Sequence, residues 1–186
     1  MSAPEFTRRD GFERLGLKGP RAAEWLEARG IPRPETPNHW VAAAPAGADE
    51  AMLVARLGSA EFFIEDCAGG DRLRGLQLAL GQGQPGVYPV LREDAAFALS
   101  GPGSHDVLTQ VCNVNFADLD LTGQPVIMTL MIGVAVLVVP QMAGAWPRCR
   151  IWCDPTFGEY LEESLGTVVT ESGGNHTRKT CEEKRE

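Results

Sequence analysis

The sequence predicts an α+β protein made of two ferredoxin-like β-α-β-β-α-β half-domains, with largely antiparallel sheets and helices on one face. Two observations carry this. One phrase is written twice, as Leu15-Gly16-Leu17-Lys18-Gly19-Pro20-Arg21-Ala22-Ala23-Glu24-Trp25-Leu26 and as Phe97-Ala98-Leu99-Ser100-Gly101-Pro102-Gly103-Ser104-His105-Asp106-Val107-Leu108. Both copies follow apolar, x, Leu, x, Gly, Pro, x, small, x, acid, apolar, Leu. Alternating apolar residues make a strand, Gly-Pro turns the chain, and the residues after it fit one helical face. The copies are too far apart and too few for a solenoid, so they mark two half-domains. The second observation is the order in which apolar periods of two and of 3.6 alternate along each half.

Residues 1–11 read as a flexible arm and 12–92 as the first half-domain. Phe12 to Lys18 is its first strand, and Arg21 to Arg29 a short helix with Ala22, Trp25 and Leu26 on one face, ended by Gly30. Ile31 to Ala48 carries Pro32, Pro34, Pro37 and Pro45, which exclude a regular helix and predict an extended surface loop anchored by Trp40. Met52 to Leu57 and Glu61 to Glu65 are two apolar runs joined by Gly58-Ser59-Ala60, a hairpin signal. After Gly69-Gly70, the leucines at 73, 76, 78 and 80 predict a helix up to Gly81, and Val87 to Leu91 closes the half as a strand.

Residues 93–166 form the second half-domain, packed as one unit. Asp94 to Leu99 is its first strand and Gly103 to Val111 its helix, followed by a polar loop from Asn113 to Gly123 holding Phe116, Leu119 and Leu121. Val126 to Met131 and Val134 to Val139 pair through Ile132-Gly133. A loop at Trp146-Pro147 precedes a strand from Cys149 to Cys153 and a closing helix from Phe157 to Leu165. Residues 167–186 are polar, mixed in charge and read as a disordered tail.

With 186 residues, 44% hydrophobic and 23% charged, the chain can bury a core of ordinary size. Its net charge of −8, without a dense basic stripe, excludes a phosphate-backbone binder, so no nucleic acid partner is expected. The longest apolar run, Val126 to Val139, is interrupted by Thr129 and Gly133 and is shorter than the ~20 residues of a spanning helix, so no membrane partner is expected. Met1 to Asp10 is polar, lacks the apolar core of an export signal, and Arg8-Arg9 is followed by no apolar segment. Five cysteines, Cys67, Cys112, Cys149, Cys153 and Cys181, form no CxxC pair and fit reduced thiols. A cytoplasmic location is expected.

No constellation for chemistry emerges. Cys149 and Cys153 are the closest potential metal ligands, yet four residues of strand span ~13 Å, too far for one zinc ion. His39 falls in a loop, His105 on a helix turn and His176 in the tail, and no Gly-x-Ser-x-Gly elbow is present. Pro20 and Pro102 remove backbone donors where a phosphate would need them. Glu162-Glu163 and Glu182-Glu183 read as solvated charges. Arg56 and Arg92, set beside apolar strands, are expected to pair with acids such as Glu61 or Asp94, or to meet a partner subunit. The residues therefore supply no catalytic, no cofactor-binding and no metal-binding assignment.

Val90 to Phe116, with its Ser100-Gly101-Pro102-Gly103-Ser104 turn, resembles the gamma subunits of heterotetrameric sarcosine oxidases. Met128-Thr129-Leu130-Met131-Ile132-Gly133-Val134-Ala135-Val136-Leu137 looks like that family's next strands. Arg150-Ile151-Trp152-Cys153 and Tyr160-Leu161-Glu162-Glu163-Ser164-Leu165 are similar to its closing strand and helix. The likeness runs from about Leu15 to Leu165 and extends to the folate-binding domains of glycine-cleavage T-protein, an aminomethyltransferase. It departs at Glu162 and Ser164, where the family tends to carry an aromatic pair, and at Pro155-Thr156, where it carries Arg-Ser. The resemblance implies a non-catalytic subunit that binds no cofactor itself, with alpha, beta and delta partner subunits. Those partners would hold FAD, FMN, NAD and tetrahydrofolate and oxidatively demethylate sarcosine. Trp40, Trp146 and Trp152 are the expected contact residues of such a scaffold. The alternative is a free-standing folate-binding or one-carbon-transfer protein.

Overall fold

A computed structural model describes residues 3–43, 52–66 and 71–179. The chain divides into two units, Phe12–Arg92 and a second that joins Met1–Gly11 to Glu93–Glu186. Each is a mixed α+β unit with a sheet dominated by antiparallel pairs.

The chain's first strand, β1 (Glu5–Arg9), belongs to the second unit. The first unit runs β2 (Glu13–Lys18), α1 (Ala22–Glu27), β3 (His39–Ala43), β4 (Met52–Arg56), β5 (Glu61–Asp66), α2 (Asp71–Gly81) and β6 (Tyr88–Val90). Its strands lie in the order β3-β4-β5-β2-β6, every neighbour antiparallel. Alternation along the strands turns Leu15, Leu17, Val54, Phe62 and Ile64 to one face. There they pack with Trp25 and Leu26 of α1 and Leu73, Leu76 and Leu80 of α2. Each such side chain stabilises by about 1.5–3 kcal/mol through the apolar surface it removes from water. Leu78, on the far side of α2, is exposed.

The second unit continues with β7 (Ala95–Ser100), α3 (Ser104–Val111), β8 (Ile127–Met131), β9 (Val134–Ala143), β10 (Trp146–Cys153), α4 (Gly158–Glu171) and β11 (Asn175–Lys179). The order is β11-β1-β7-β10-β9-β8, with β1 and β11 parallel and the other pairs antiparallel. Phe6, Phe97, Leu99, Val107, Leu108, Ile151, Leu161, Leu165 and Val169 fill the core beneath α3 and α4.

The two copies of the repeated phrase take up the same structure. β2 and β7 precede Gly19-Pro20 and Gly101-Pro102, and α1 and α3 follow. Gly19 (φ +131°) and Gly101 (φ +95°) both sit where a Cβ would strike a backbone carbonyl, that of Gly86 at 2.3 Å and that of Ala3 at 2.9 Å. Only glycine combines that dihedral with that closeness. The difference lies at the closing edge. In the first unit β6 pairs directly with β2, whereas in the second β1 stands between β7 and the closing strand β11.

Several sequence expectations are corrected. The arm of residues 1–11 contains β1, a strand whose single strongly apolar residue, Phe6, gives no visible alternation but is fully buried. The expected loop from Ile31 to Ala48 contains β3, which begins two residues after Pro37, and its residues 44–48 lie outside the described ones. The Trp146-Pro147 loop is the start of β10, because β9 runs on to Ala143 and its hairpin carries both strands further. The expected tail holds the last turns of α4 and β11. Gly166 lies inside that helix, and Val169 beyond it is fully buried. Residues 180–186 of the tail, Glu182 and Glu183 included, the Gly69-Gly70 turn, Cys67 and Cys181 lie outside the described residues.

Candidate functional site

A dense group of charged side chains lies in the second unit, where β1, α4 and β11 meet. Glu162 projects from α4 and is buried, not solvated as the sequence suggested. Its Oε2 accepts from Arg8 Nη1 at 2.6 Å and from Arg178 Nη2 at 3.3 Å, and its Oε1 lies 3.5 Å from His176 Nε2. Arg8 Nε donates to Asp10 Oδ1 at 3.0 Å, and Arg178 Nε stands 3.9 Å from Asp10 Oδ2. Burial pulls the Arg8 pKa down, but the hydrogen bonds and charges of Glu162 and Asp10 outweigh it and raise it above its ordinary value. His176, expected in a solvated tail, lies on β11 with its ring 5.2 Å from Phe6. Two carboxylates and two guanidiniums satisfy one another here, so the cluster fastens the two terminal strands to α4.

In the first unit, Arg14 Nε donates to Glu65 Oε2 at 2.7 Å, a buried cross-strand pair that hydropathy alone does not reveal. Arg92 Nη2 donates to Glu61 Oε1 at 2.8 Å, as the sequence suggested, and its guanidinium lies 5.6 Å from the Phe63 ring. Arg56 is paired with no acid among the described residues. It donates to the backbone carbonyls of Pro34, Glu35, Gly58 and Ser59, holding the segment before β3 to the β4–β5 turn. A shallow, open groove of about 360 Å³ is lined by Lys18, Gly19, Gly58, Ser59, Ala60, Glu61 and Tyr88. Its polar groups are partly committed already, since Gly19 N–H donates to Ala60 O at 2.9 Å and Glu61 is held by Arg92.

The remaining candidates are scattered. Cys112, Cys149 and Cys153 are buried free thiols, and burial pushes Cys149 up to about 12 and Cys153 up to about 11. Such thiols stay protonated and unreactive. His39 bonds Thr36 and the Pro37 carbonyl locally, and His105 sits on α3. Among the described residues no group of three or more His, Cys, Asp or Glu is placed to hold a metal ion, and no helix is long and apolar enough to cross a membrane. Of the three tryptophans expected at the surface, Trp146 is 48% exposed and Trp40 half-buried, while Trp152 is 1% exposed and is corrected to an interior residue. The outward face of β8 lay outside the surfaces expected from the sequence. There Met128 (56%) and Leu130 (59%) stand opposite Leu137 and Ala135 of β9, and their alternation with half-buried Ile127 and Thr129 was the available signal.

No family model and no curated protein matches this sequence. Solved structures do match. The heterotetrameric sarcosine oxidase from Corynebacterium sp. U-96, in complex with pyrrole 2-carboxylate, contains a chain that superposes with a TM-score of 0.66 and 22% identity. That match covers 91% of this chain and 85% of the other. Aminomethyltransferase T of the glycine cleavage system from Bartonella henselae superposes with a TM-score of 0.67 and 14% identity over 94% of this chain. This chain spans 48%, about half, of the aminomethyltransferase. The chain has the fold shared by these two proteins.

Proposed function

We propose that this chain is a non-catalytic, gamma-type subunit of a bacterial heterotetrameric sarcosine oxidase. The observation that carries the reading is the nearly end-to-end likeness to one chain of such an enzyme, where the aminomethyltransferase is about twice as long. The local chemistry supports it, because the charged clusters of both units are internally paired and the buried thiols are held protonated. In this reading each half descends from a ferredoxin-like unit, the order β4-β5-β2-β6 being its nearest form, and the duplicated scaffold clasps alpha, beta and delta partners. FAD, FMN, NAD and tetrahydrofolate belong to those partners, which demethylate sarcosine oxidatively and pass the one-carbon unit to the folate.

Co-expression with flavin-containing alpha, beta and delta subunits tests this directly. The chain is expected to co-elute with flavin absorbance at the mass of a four-subunit complex. A chain that stays apart from all of them overturns the proposal. Calorimetric titration of the isolated chain with tetrahydrofolate separates the alternative, a free-standing folate-binding protein, since tight one-to-one binding belongs to that reading alone.

A further inference from the structure

Two strands of the second unit are written in one pattern. β1 reads Glu5-Phe6-Thr7-Arg8-Arg9 and β11 reads Asn175-His176-Thr177-Arg178-Lys179. They lie parallel in the register that sets Phe6 beside His176, Thr7 beside Thr177 and Arg8 beside Arg178. Their contacts are duplicated as well. Arg8 and Arg178 share Glu162 Oε2 at 2.6 and 3.3 Å and both reach Asp10. Phe6 stacks on Phe97 with centroids 5.4 Å apart, and His176 stands next in line, 5.2 Å from Phe6. The Thr7 and Thr177 hydroxyls meet at 3.2 Å.

Direction makes these copies interchangeable. β1 runs antiparallel to β7, and β11 runs parallel to β1, so β11 already points the way β7 requires. It would reach β1's place by a sideways step of about 4.8 Å, without reversing. The first unit displays the resulting arrangement, with β6 paired directly to β2. Ser172-Gly173-Gly174 links α4 to β11, and Gly173 holds φ +77°, so the joint is one of glycines.

We propose that β11 is a stand-in for β1: either strand can hold the place beside β7, which makes the N-terminal strand a detachable arm. β1 holds the place in the ground state because Phe6, fully buried, fills it with more apolar surface than His176 can. Pro4 adds to this, its carbonyl accepting the Asn175 N–H at 2.9 Å. When β11 steps across, Arg178 takes over the bonds of Arg8 to Glu162 and Asp10, the sheet stays closed, and Glu5–Arg9 is released as an extended segment able to pair elsewhere.

A disulfide trap in the full chain tests this. Glu5 stands between Ser100 and Asn175, leaving them two strand spacings apart, roughly 9–10 Å, beyond the ~7 Å limit for a disulfide. After the exchange they face each other. With Ser100→Cys and Asn175→Cys, mild oxidation and peptide mapping are expected to show this bond forming at least about tenfold faster when Thr7→Pro is added, since proline removes a ladder donor from β1. Failure of the bond to form in that variant, folded or not, overturns the proposal. Hydrogen exchange on the unaltered chain supplies the second reading. The amides of Phe6 to Arg8 are expected to exchange at least about tenfold faster than those of Arg150 to Trp152, through a local opening. Equal protection of the two sets likewise overturns it.

Discussion

At the scale of single residues, backbone conformation and burial decide more than residue type. Gly75 in α2 and Gly133 in the β8–β9 turn have no neighbour within 4 Å of a notional Cβ, so packing cannot distinguish them. Gly75 is helical, and Gly133 holds φ +80°. Gly75→Ala is therefore expected to stabilise by about 0.5–1 kcal/mol, through helix propensity and a less flexible unfolded chain, and Gly133→Ala to destabilise by roughly 1 kcal/mol. Urea titrations of the two variants check the opposite signs. Cys149 gives the pH dependence. Its ordinary pKa is 9.0, and burial, with a smaller contribution from Cys112, pushes it up to about 12 in the native state. The unfolded thiol releases its proton near pH 9 while the native one keeps it. The stabilisation is thus complete below pH 9 and is lost as pH rises toward 12. Compared with Cys149→Ala, the native chain is expected to lose urea resistance more steeply between pH 9 and 11. A parallel decline in both proteins would contradict this. The sequence marked the cysteines as reduced thiols, but it could not mark Glu162 as buried. A glutamate in Tyr-Leu-Glu-Glu-Ser looks solvated until β1, from the far end of the chain, and β11, the next element, bring arginines to it.

At the scale of elements, the parts legible in the sequence were those whose apolar period is set within the element. β2, α1, β4, β5, α2, β7, α3 and β8 lie within a few residues of where alternation and Gly-Pro turns place them. The parts not legible were those stabilised from outside: β1 and β11 are polar strands that pair with each other across the length of the chain and whose arginines are held by Glu162 of α4. The C-terminal half of α4 was hidden differently. Gly166, Thr167, Val168 and Thr170 are weak helix formers, and Gly166 is retained because a Cβ there would meet the His176 ring at 2.8 Å. Tertiary packing overrides propensity in that turn, and the fully buried Leu161, Leu165 and Val169 are the means. Leu165→Ala is accordingly expected to cost about 2–5 kcal/mol, as for other large-to-small changes in a packed core. Leu78→Ala, at an outward position of α2 that is 73% exposed, is expected to change stability by less than about 0.5 kcal/mol. Equal effects of the two substitutions in chemical denaturation would mean that α4 does not carry the core of its unit.

At the scale of the whole molecule, the repeated strand-turn-helix was legible because Gly-Pro turns are constrained by backbone geometry, and that constraint leaves a residue signature at Gly19-Pro20 and Gly101-Pro102. The unequal closure of the halves was not legible, since the strand that intervenes in the second unit comes from the start of the chain. Charge is the other molecular property that composition expresses well, and here the structure sharpens it. A net charge of −8 already disfavours nucleic acid, yet Arg8, Arg9 and Arg178 fall on two neighbouring strands and form a basic segment that a scan for clustered cations would single out. Arg8 and Arg178, however, are committed to Glu162 and Asp10. A phosphate backbone gains affinity by releasing counterions to free cations, and a guanidinium already neutralised by a carboxylate displaces none. The full chain is therefore expected to pass through a heparin column without retention at about 0.15 M salt and to leave the fluorescence anisotropy of a labelled oligonucleotide unchanged. Glu162→Gln removes one of the two carboxylates that the arginines share. If that substitution alone brings about salt-dependent oligonucleotide binding, Glu162 is what keeps these cations from phosphate, whereas binding by the unaltered chain would show that the cations at this edge are not held as the ion pairs require.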